Sequence, residues 1–441
     1  MKKTHFAVKA NGSLRRLIMG LVLLNPLLNA HATEFLEMIR MTADHPAVRS
    51  ATSSGTGAYY DIEQAKAADG LQVSTGISAI GYSGQAGYEN NPLSPHLSVS
   101  KLLYDHGRTD ASVAGKEAAW SKQQAQINVT REELNQQVLS LFTTAVTNAR
   151  VVLVLDKEIV ALQDLLGRVQ SIARIDAGRA SEINQVATRL NAVVASREMY
   201  NTSCQQAQAQ LGTLLNQKVS LDHTLPDLKK ARLLPTSLQQ AQQVLKDNPS
   251  WKVSHFVKEE AKAAVELASK WNRPKWAVQL SLDSPKRNGE MEPFKAVTVQ
   301  LSSDINLWDG GAGRAAAQAE TQRLIAAEAD QDATLRALQQ QLDQLWISLP
   351  LRERQIDALH RQSDSALKTW KAGEVQFFAG QRPLTDLISF ATDYYSSLAS
   401  YHEQQMQYLA AQWQIVAALG KTSELAQRVG SLPASPIEDV R

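Results

Sequence analysis

Two short stretches of alternating sequence decide the fold of this chain. Residues 71–79 read LQVSTGISA and residues 276–283 read WAVQLSLD, so that apolar and small polar residues take turns in both. Each stretch is followed by a loop rich in glycine, asparagine and proline, and then by a second alternating run. This period of two predicts one β-hairpin over about 71–104 and another over about 275–306.

The alternating runs have two interpretations. Runs of about ten residues are typical of membrane β-barrel strands, but a soluble hairpin with one wet face gives the same pattern. The polar positions are mostly Gln, Ser and Thr, which suits a water-filled pore. Lys101 breaks the apolar face and is therefore expected near a membrane boundary. The predicted export leader and the long helices, described below, favour membrane strands.

Four strands are too few to close a barrel, because the smallest membrane barrels have about eight. An open sheet edge in lipid would leave backbone N–H and C=O groups unpaired, at a cost of several kcal/mol each. A membrane barrel made by this chain must therefore combine strands from several copies. Two copies would supply eight strands and three would supply twelve, and strand count alone does not choose between them.

Most of the remaining sequence predicts long helices. Apolar residues recur at spacings of three and four over 134–169 and again over 335–370, which is a sustained heptad pattern. The predicted long helices cover about 107–175 and 311–373, and the return helices cover about 181–215 and 384–419. At about 1.5 Å per residue, each long helix would span on the order of 100 Å, which is a periplasmic distance.

Three residues are predicted to shape these long helices. Asp105 and Asp309 lie where the strands end and the helices begin, so each is expected to cap the first turn. Pro350 falls inside the second long helix and removes one backbone donor, so a kink is expected there.

The chain is an internal duplication, because four landmarks recur in the same order at offsets of 202 to 208 residues. The first repeat is assigned to 33–220, the linker to 221–236, the second repeat to 237–420 and a tail without an assigned role to 421–441. The matches are Asp44-His45-Pro46 with Asp247-Asn248-Pro249, Leu103–Gly107 with Leu307–Gly311, Ala177-Gly178-Arg179 with Ala379-Gly380-Gln381, and Leu211-Gly212 with Leu419-Gly420. The fold class is therefore mainly α with a small β part, built from a duplicated hairpin-plus-long-helix repeat.

Residues 1–32 have the pattern of a secretory signal peptide. Five basic residues and no acidic one precede an apolar run from Leu17 to Leu28, and Ala30-His31-Ala32 is a small-x-small site. This order predicts cleavage after Ala32. The apolar run is only about 12 residues long, too short for the roughly 20 residues of a spanning helix.

Composition excludes several other classes. The chain carries a net charge of +2 and the leader holds five positive charges, so the rest is near −3 and gives no argument for nucleic-acid binding. The only cysteine, Cys204, cannot form an internal disulfide and is expected to be buried in a helix. No apolar stretch after the leader is expected to span a membrane as a helix. No Walker loop and no paired metal spacing is present, so no enzyme activity, cofactor or metal site is predicted.

The landmarks, the Leu-aromatic-Asp-x-Gly step into each long helix and the duplicated plan resemble the TolC-type outer-membrane efflux proteins. The resemblance implies a homotrimer with one shared 12-stranded transmembrane β-barrel that continues into a periplasmic α-helical barrel. It also implies a place in the Gram-negative outer membrane, with most of the chain in the periplasm. The implied partners are a periplasmic adaptor, or membrane fusion protein, and an inner-membrane transporter.

Two stretches are similar to the type I secretion members of this family. They are 377–388, which reads FFAGQRPLTDLI, and 176–185, which reads DAGRASEINQ. The resemblance favours export of a large unfolded protein, such as a repeat-rich adhesin, from an inner-membrane ABC transporter. Two alternatives stay open: a duct for multidrug or metal efflux, and a soluble periplasmic coiled-coil scaffold.

The resemblance also assigns roles at the two helical tips, around Gly178 and Gly380. Both glycines are expected to adopt positive φ in helix–helix turns. The implied periplasmic gate residues are Arg382, Asp386, Phe377, Glu182 and Ser389, the last of which stands where the family has an aspartate. The implied adaptor-contacting residues are Ala177, Gly178, Arg179, Ala379, Gly380 and Gln381. Arg382 is expected to pair with Asp386 one helical turn away, or with a carboxylate on a neighbouring helix.

Overall fold

The computed structural model of the chain describes residues 34–80, 91–221, 224–283, 286–287, 290–291 and 296–428. The signal peptide predicted over 1–32, parts of both hairpin loops and the end of the tail lie outside these residues. The helices are α1 Glu34–Met41, α2 Pro46–Lys66, α3 Arg108–Ile175, α4 Ala180–Leu215, α5 Leu238–Gln243, α6 Pro249–Ser269, α7 Ala312–Phe378, α8 Leu384–Ala418 and α9 Thr422–Arg428. The strands are β1 Leu71–Ile80, β2 Asn91–Tyr104, β3 Lys275–Asp283, β4 Lys286–Arg287, β5 Glu290–Met291 and β6 Ala296–Asp304.

The described elements repeat the order helix, hairpin, long helix, return helix. Helices α2 and α6 have 21 residues each, α3 and α7 have 68 and 67, and α4 and α8 have 36 and 35. One of the four sequence matches is wrong: Gly212 lies inside α4 and is not the counterpart of Gly420. The counterpart is Asn216, which follows α4 with φ 53°, as Gly420 follows α8 with φ 68°.

The predicted capping role of Asp105 and Asp309 is confirmed. The Asp105 carboxylate accepts the N–H groups of Gly107, Arg108 and Thr109 at 2.7–3.1 Å. Asp309 accepts those of Gly311 and Gly313 at 3.0 and 2.7 Å. These bonds satisfy amides that have no partner within the first helical turn, so the strand-to-helix step is fixed in the same way in both repeats.

Both long helices are continuous. Helix α7 runs through Pro350 and remains helical on both sides of it. Helix α3 contains an 18-residue window that is apolar enough, by composition alone, to cross a membrane. The sequence analysis expected no such window after the leader. Helix α3 contributes Val138, Phe142 and Val146 to the main core, and 44% of that window is buried in the chain. Packing within the chain therefore accounts for part of this apolar character.

The two hairpins join into one antiparallel sheet with the order β1-β2-β3-β6. The register aligns the alternating residues of all four strands, so one face is apolar and the other is polar. A central apolar row consists of Val73, Val99, Leu280 and Val299. The adjacent polar row consists of Ser74, Ser98, Ser281 and Thr298.

The main hydrophobic core lies midway along α3 and near the end of α8, where α1, α9 and the connection between the repeats pack together. Phe35 of α1 contacts Phe142 of α3 and Trp413 of α8, with ring centroids 5.4 and 4.8 Å apart. The segment 221–236, expected to be a plain linker, buries Leu225 and Leu228 in this core. The Trp413 indole N–H also donates to the carbonyl of Pro226 at 3.0 Å.

The tail, too, takes part in the fold. Helix α9 begins directly after Lys421, and the buried carboxylate of Glu132 accepts the N–H groups of Thr422 and Ser423 at 3.2 and 3.0 Å. A carboxylate at this position stabilises a helix N-terminus. The first part of the tail is therefore fixed to α3.

Replacing Gly420 with alanine is expected to destabilise the fold by about 2–3 kcal/mol. Gly420 has φ 68°, and an added Cβ would lie 2.3 Å from Cδ of Pro249. Gly57→Ala is the matched control, because a Cβ there meets nothing within 4 Å and the helix interior should gain up to about 1 kcal/mol. Urea unfolding followed by circular dichroism measures both, and equal effects would contradict this packing.

Candidate functional site

The first helical tip is a short turn between α3 and α4. Asp176 leaves the helical conformation with φ −122°, and residues 177–179 form one turn of 3₁₀ helix. The Asp176 carboxylate accepts the Gly178 N–H at 3.0 Å. Gly178 is not among the glycines with positive φ, so that prediction is wrong. The physical reason is that Asp176, not the glycine, makes the change of direction here.

The second tip turns in the predicted way. Gly380 adopts φ 74°, and the Gln381 N–H donates to the carbonyl of Gln376 at 2.9 Å. This bond, with the Gly380 N–H donating to Phe377, closes the end of α7 through a left-handed residue. Pro383 then directly precedes α8.

Arg382 and Asp386 form the predicted ion pair. Nη1 of Arg382 lies 3.3 Å from Oδ2 of Asp386, and both side chains are about 40% exposed. The Arg382 Nε also donates to the Gln376 side chain, and its guanidinium lies 5.3 Å from the Phe390 ring centroid. Within the described chain, the carboxylate partner of Arg382 is on its own segment, and the proposed link to a neighbouring helix is not formed. An exposed pair of this kind contributes under about 1 kcal/mol.

Glu182 and Phe377 are brought together by a third residue, Arg179. The Arg179 Nη2 lies 2.9 Å from Glu182, and its Nε donates to both oxygens of that carboxylate at 3.1 Å. The same guanidinium lies 5.0 Å from the centroid of Phe377, which is buried. Glu182 and Phe377 are therefore organised around Arg179, apart from the Arg382–Asp386 pair, and Ser389 is exposed on α8.

Arg168 forms a second contact between the repeats that the sequence patterns did not indicate. Its Nε lies 2.8 Å from Asp164, one turn earlier on α3, and its Nη1 lies 3.2 Å from Glu374 on α7. Its guanidinium lies 5.1 Å from the Phe378 ring centroid. The signal available in the sequence was only an Asp-to-Arg spacing of four, which is common on solvated helices.

The predicted adaptor-contacting residues divide into two groups. The tip residues Ala177, Gly178, Ala379, Gly380 and Gln381 are exposed. Arg179, in contrast, is half-buried because its side chain lies against Glu182 and Phe377. Its guanidinium is therefore engaged within the protein.

A buried ion pair joins α3 and α4 above the tip. Nη2 of Arg189 lies 2.7 Å from Oε1 of Glu158, whose side chain is 3% exposed, whereas that of Arg189 is 31% exposed. Burial raises the pKa of Glu158 above its ordinary value, although Arg189 opposes this. Arg189 therefore stabilises a buried carboxylate charge that would be unfavourable without a partner.

Two other sequence predictions concern ligands and thiol chemistry. Among the described residues, no group of three or more His, Cys, Asp or Glu side chains is arranged to hold a metal ion. Cys204 lies in α4 and is half-buried, less than was expected, and burial raises the pKa of its thiol.

Acidification is expected to destabilise the fold through His402, which is buried on α8. Burial, together with the positive charges of Arg150 and Lys157, lowers the pKa of His402 to about 4 from its ordinary 6.5. As the pH falls, His402 of the unfolded chain therefore binds its proton at a higher pH than His402 of the folded chain. The free energy of unfolding keeps the full contribution of His402 above pH 6.5 and loses about 3 kcal/mol of it as the pH falls to 4 and below.

Urea midpoints measured between pH 7 and pH 4 test this expectation. The urea midpoint of His402→Phe should fall less steeply with decreasing pH than that of the unmodified chain, because the variant lacks the imidazole that binds the proton. The other titrating groups are present in both proteins, so their contributions cancel in the comparison. The same dependence in both proteins would contradict the assignment to His402.

Comparison with known proteins agrees with the fold. Residues 241–421 match the family model for outer membrane efflux protein. Solved structures share the fold, and three of them are CusC, VceC and CmeC. CusC has a TM-score of 0.76 and 14% identity, covering 88% of this chain and 92% of its own. VceC, an outer membrane protein from Vibrio cholerae, has a TM-score of 0.74 and 13% identity, and the match covers 88% of this chain and 96% of VceC. CmeC, an outer membrane channel from Campylobacter jejuni, has a TM-score of 0.75 and 10% identity, and the match covers 90% of this chain and 89% of CmeC. No curated protein sequence matches the chain.

The second repeat thus matches the outer membrane efflux protein family, and the chain has the fold of solved outer-membrane channels. Proteins of the matched family are transport ducts. The protein lies in the outer membrane, with its large helical part in the periplasm. This location does not fit the soluble periplasmic scaffold that the sequence left open.

Proposed function

We propose that three copies of this chain share one 12-stranded transmembrane barrel that continues into a periplasmic α-helical barrel. The observation that carries the proposal is the four-stranded sheet, in which β1 and β6 are edges without a partner in the described chain. Channels of the matched family are trimers that work with a periplasmic adaptor and an inner-membrane pump.

The strand order supports closure between copies. Each neighbouring pair in β1-β2-β3-β6 is antiparallel, so β1 and β6 run in opposite directions. The β6 edge of one copy can therefore pair with the β1 edge of the next in the same antiparallel manner, which removes the edges that lipid would penalise.

The exposed side chains of the sheet support a membrane position. Val73 and Ile77 on β1, and Val297 and Val299 on β6, are all at least 62% exposed on the apolar face. The opposite face carries mainly Ser, Thr and Gln, together with His96 and, towards one end, Leu102 and Ala277, and this mainly polar face suits a wet lumen. The aromatic residues Tyr104 and Trp276 pair at one end of the sheet, where membrane barrels carry aromatic girdles.

The helices also have faces suited to neighbouring copies. Helix α3 packs against α4 and α8, and α8 packs against α7, so α4 and α7 form the two sides of the helical layer. In a closed trimer, α7 of one copy would pack against α4 of the next. The helical layer and the sheet would then close with the same three-fold symmetry.

For the transported substrate, we propose type I secretion of a large unfolded protein, delivered by an inner-membrane ABC transporter and a periplasmic adaptor. The support is the similarity of 377–388 and 176–185 to the tips of type I secretion components. The efflux of drugs or metals is the second candidate, and the match of 241–421 to the efflux protein family favours it.

Deleting the gene distinguishes the two substrates. Under the secretion proposal, a large protein disappears from the cell surface or medium while susceptibility to drugs and metals is unchanged. Raised susceptibility with an unchanged set of secreted proteins would overturn secretion in favour of efflux.

We further propose that Arg382 and Asp386 belong to a periplasmic gate. Around a three-fold axis, copies of Asp386 repel one another unless each is paired, and Arg382 supplies that charge. Arg382→Ser should therefore raise the low single-channel conductance of the resting channel in planar bilayers. An unchanged low conductance would contradict a gating role, and Arg174→Ser, an exposed arginine in the last turn of α3, serves as the control.

A further inference from the structure

An open cavity of about 690 Å³ lies beside the connection between the repeats, and it is bounded by that connection and by α3, α7 and α8. Its volume is within the range of about 300–1,000 Å³ that is typical of small-molecule sites. Arg150, which lines the cavity from α3, lies on the order of 60 Å along that helix from the sheet and roughly 40 Å from the first tip, at about 1.5 Å per residue. The cavity is therefore remote from both the membrane strands and the helical tips.

The charges that line the cavity balance one another. Three are positive and three are negative, and they belong to Arg150, Lys229, Lys230, Asp227, Glu353 and Asp357. A ligand with charge of a single sign would meet repulsion as well as attraction here, whereas a ligand that carries both signs can be oriented to meet attraction at each end. The balance of charge thus favours a zwitterion.

One ion pair already crosses the opening of the cavity, and a second potential pair beside it is not formed. Lys229 of the connection lies 2.7 Å from Glu353 of α7. The next residue, Lys230, has a side chain that is 86% exposed, and its Nζ lies 3.8 Å from Asp227. Asp357, one turn after Glu353, is also exposed and forms no ion pair within the part of the chain that the structure describes. Two groups of opposite charge therefore flank the opening without closing on each other.

Buried apolar side chains supply another part of the lining. Leu225 of the connection, and Tyr408 and Leu409 of α8, line the cavity and belong to the main hydrophobic core. Ile356 of α7 lines it too and packs against the same core. An aliphatic group that enters the cavity would therefore lose contact with water, which is favourable. The lining suits a ligand with an apolar body and charged ends.

We propose that this cavity binds a short zwitterionic peptide with an aliphatic side chain, whose carboxylate pairs with Lys230 and whose ammonium pairs with Asp357. The aliphatic side chain packs against Leu225 and Leu409. Such a peptide is either free in the periplasm or the end of a peptide in the cell wall, because both carry these groups. The proposal goes beyond transport and requires only the periplasmic position of the helical part.

Isothermal titration calorimetry of the full-length protein in mild detergent tests the site with three forms of the tripeptide alanyl-alanyl-leucine. The unmodified tripeptide is a zwitterion, the N-acetylated form is an anion and the C-amidated form is a cation, and all three have similar volumes. The zwitterion should bind about 2- to 5-fold more tightly than either modified form, because each modification removes one exposed ion pair.

Two charge reversals at the opening give reciprocal expectations. Lys230→Glu makes the lining more negative and should shift the preference to the amidated, cationic peptide. Asp357→Lys should shift it to the acetylated, anionic peptide. Lys371→Glu is the matched control and should leave the preference unchanged, since this exposed residue of α7 does not line the cavity. A merely structural role of the two charges would not reverse the preference.

Retention of the protein on purified cell walls, with release by the tripeptide, would assign the bound peptide to the wall. Binding of the tripeptide without such retention would assign a free peptide. The proposal would be overturned by equal binding of the three forms, by no binding of any form at millimolar concentration, or by a preference that neither reversal shifts. Where a reversal fails to fold, as measured by circular dichroism, the comparison of the three peptides on the unmodified protein still decides the outcome.

Discussion

Val299→Lys is expected to remove most of the assembled protein from the outer membrane, whereas Thr298→Lys is not. Val299 lies in the central apolar row and is 71% exposed, and Thr298 lies next to it on the polar face. A lysine facing lipid near the bilayer midplane costs about 2–4 kcal/mol, and a trimer carries it three times. A lysine facing a wet lumen avoids this cost.

Unboiled gel electrophoresis of outer-membrane fractions measures the outcome as the intensity of a heat-sensitive oligomer band. The band should be strongly reduced for Val299→Lys and retained for Thr298→Lys. Equal loss for both lysines would contradict the two-faced sheet, because strand disruption alone would then explain the result.

Arg189→Met is expected to destabilise the helical part by about 3–5 kcal/mol at neutral pH, because it leaves the buried Glu158 carboxylate without its partner. Glu158→Gln should cost only about 1 kcal/mol, since the remaining Arg189 is partly exposed and keeps a hydrogen-bond acceptor. Urea unfolding at pH 7 compares the two variants.

The sign of the pH dependence provides a second check. The pKa of Glu158 is already raised by burial, and loss of Arg189 raises it further. The stability deficit of Arg189→Met should therefore be smallest in acid, where the carboxyl group is neutral, and should grow as pH rises. A deficit of equal size for both variants, or one independent of pH, would contradict the buried-pair account.

Local patterns predicted the elements whose causes are local. The hairpins follow from period-two alternation, and the long helices follow from the heptad pattern. The caps at Asp105 and Asp309 follow from a carboxylate at a strand-to-helix step, and the turn at Gly380 follows from a glycine after an apolar helix. In each of these cases, the residues that determine the structure lie within one or two turns of one another.

Features that depend on distant residues were not predictable in this way. The burial of Leu225 and Leu228 requires the packing surface of α3 and α8, which no pattern in 221–236 reveals. The stack of Arg179 on Phe377 joins residues from different repeats. Gly178 shows the converse error, because Asp176 two residues earlier already makes the turn that a glycine was expected to make.

The number of chains per channel tests the central claim most directly, because four strands per copy require a shared barrel. Native mass spectrometry of the protein, extracted from outer membranes in mild detergent, counts the copies in one assembly. We predict three copies, with dissociation on heating. A monomer, a dimer or any other closed number would contradict the 12-stranded barrel shared by three chains.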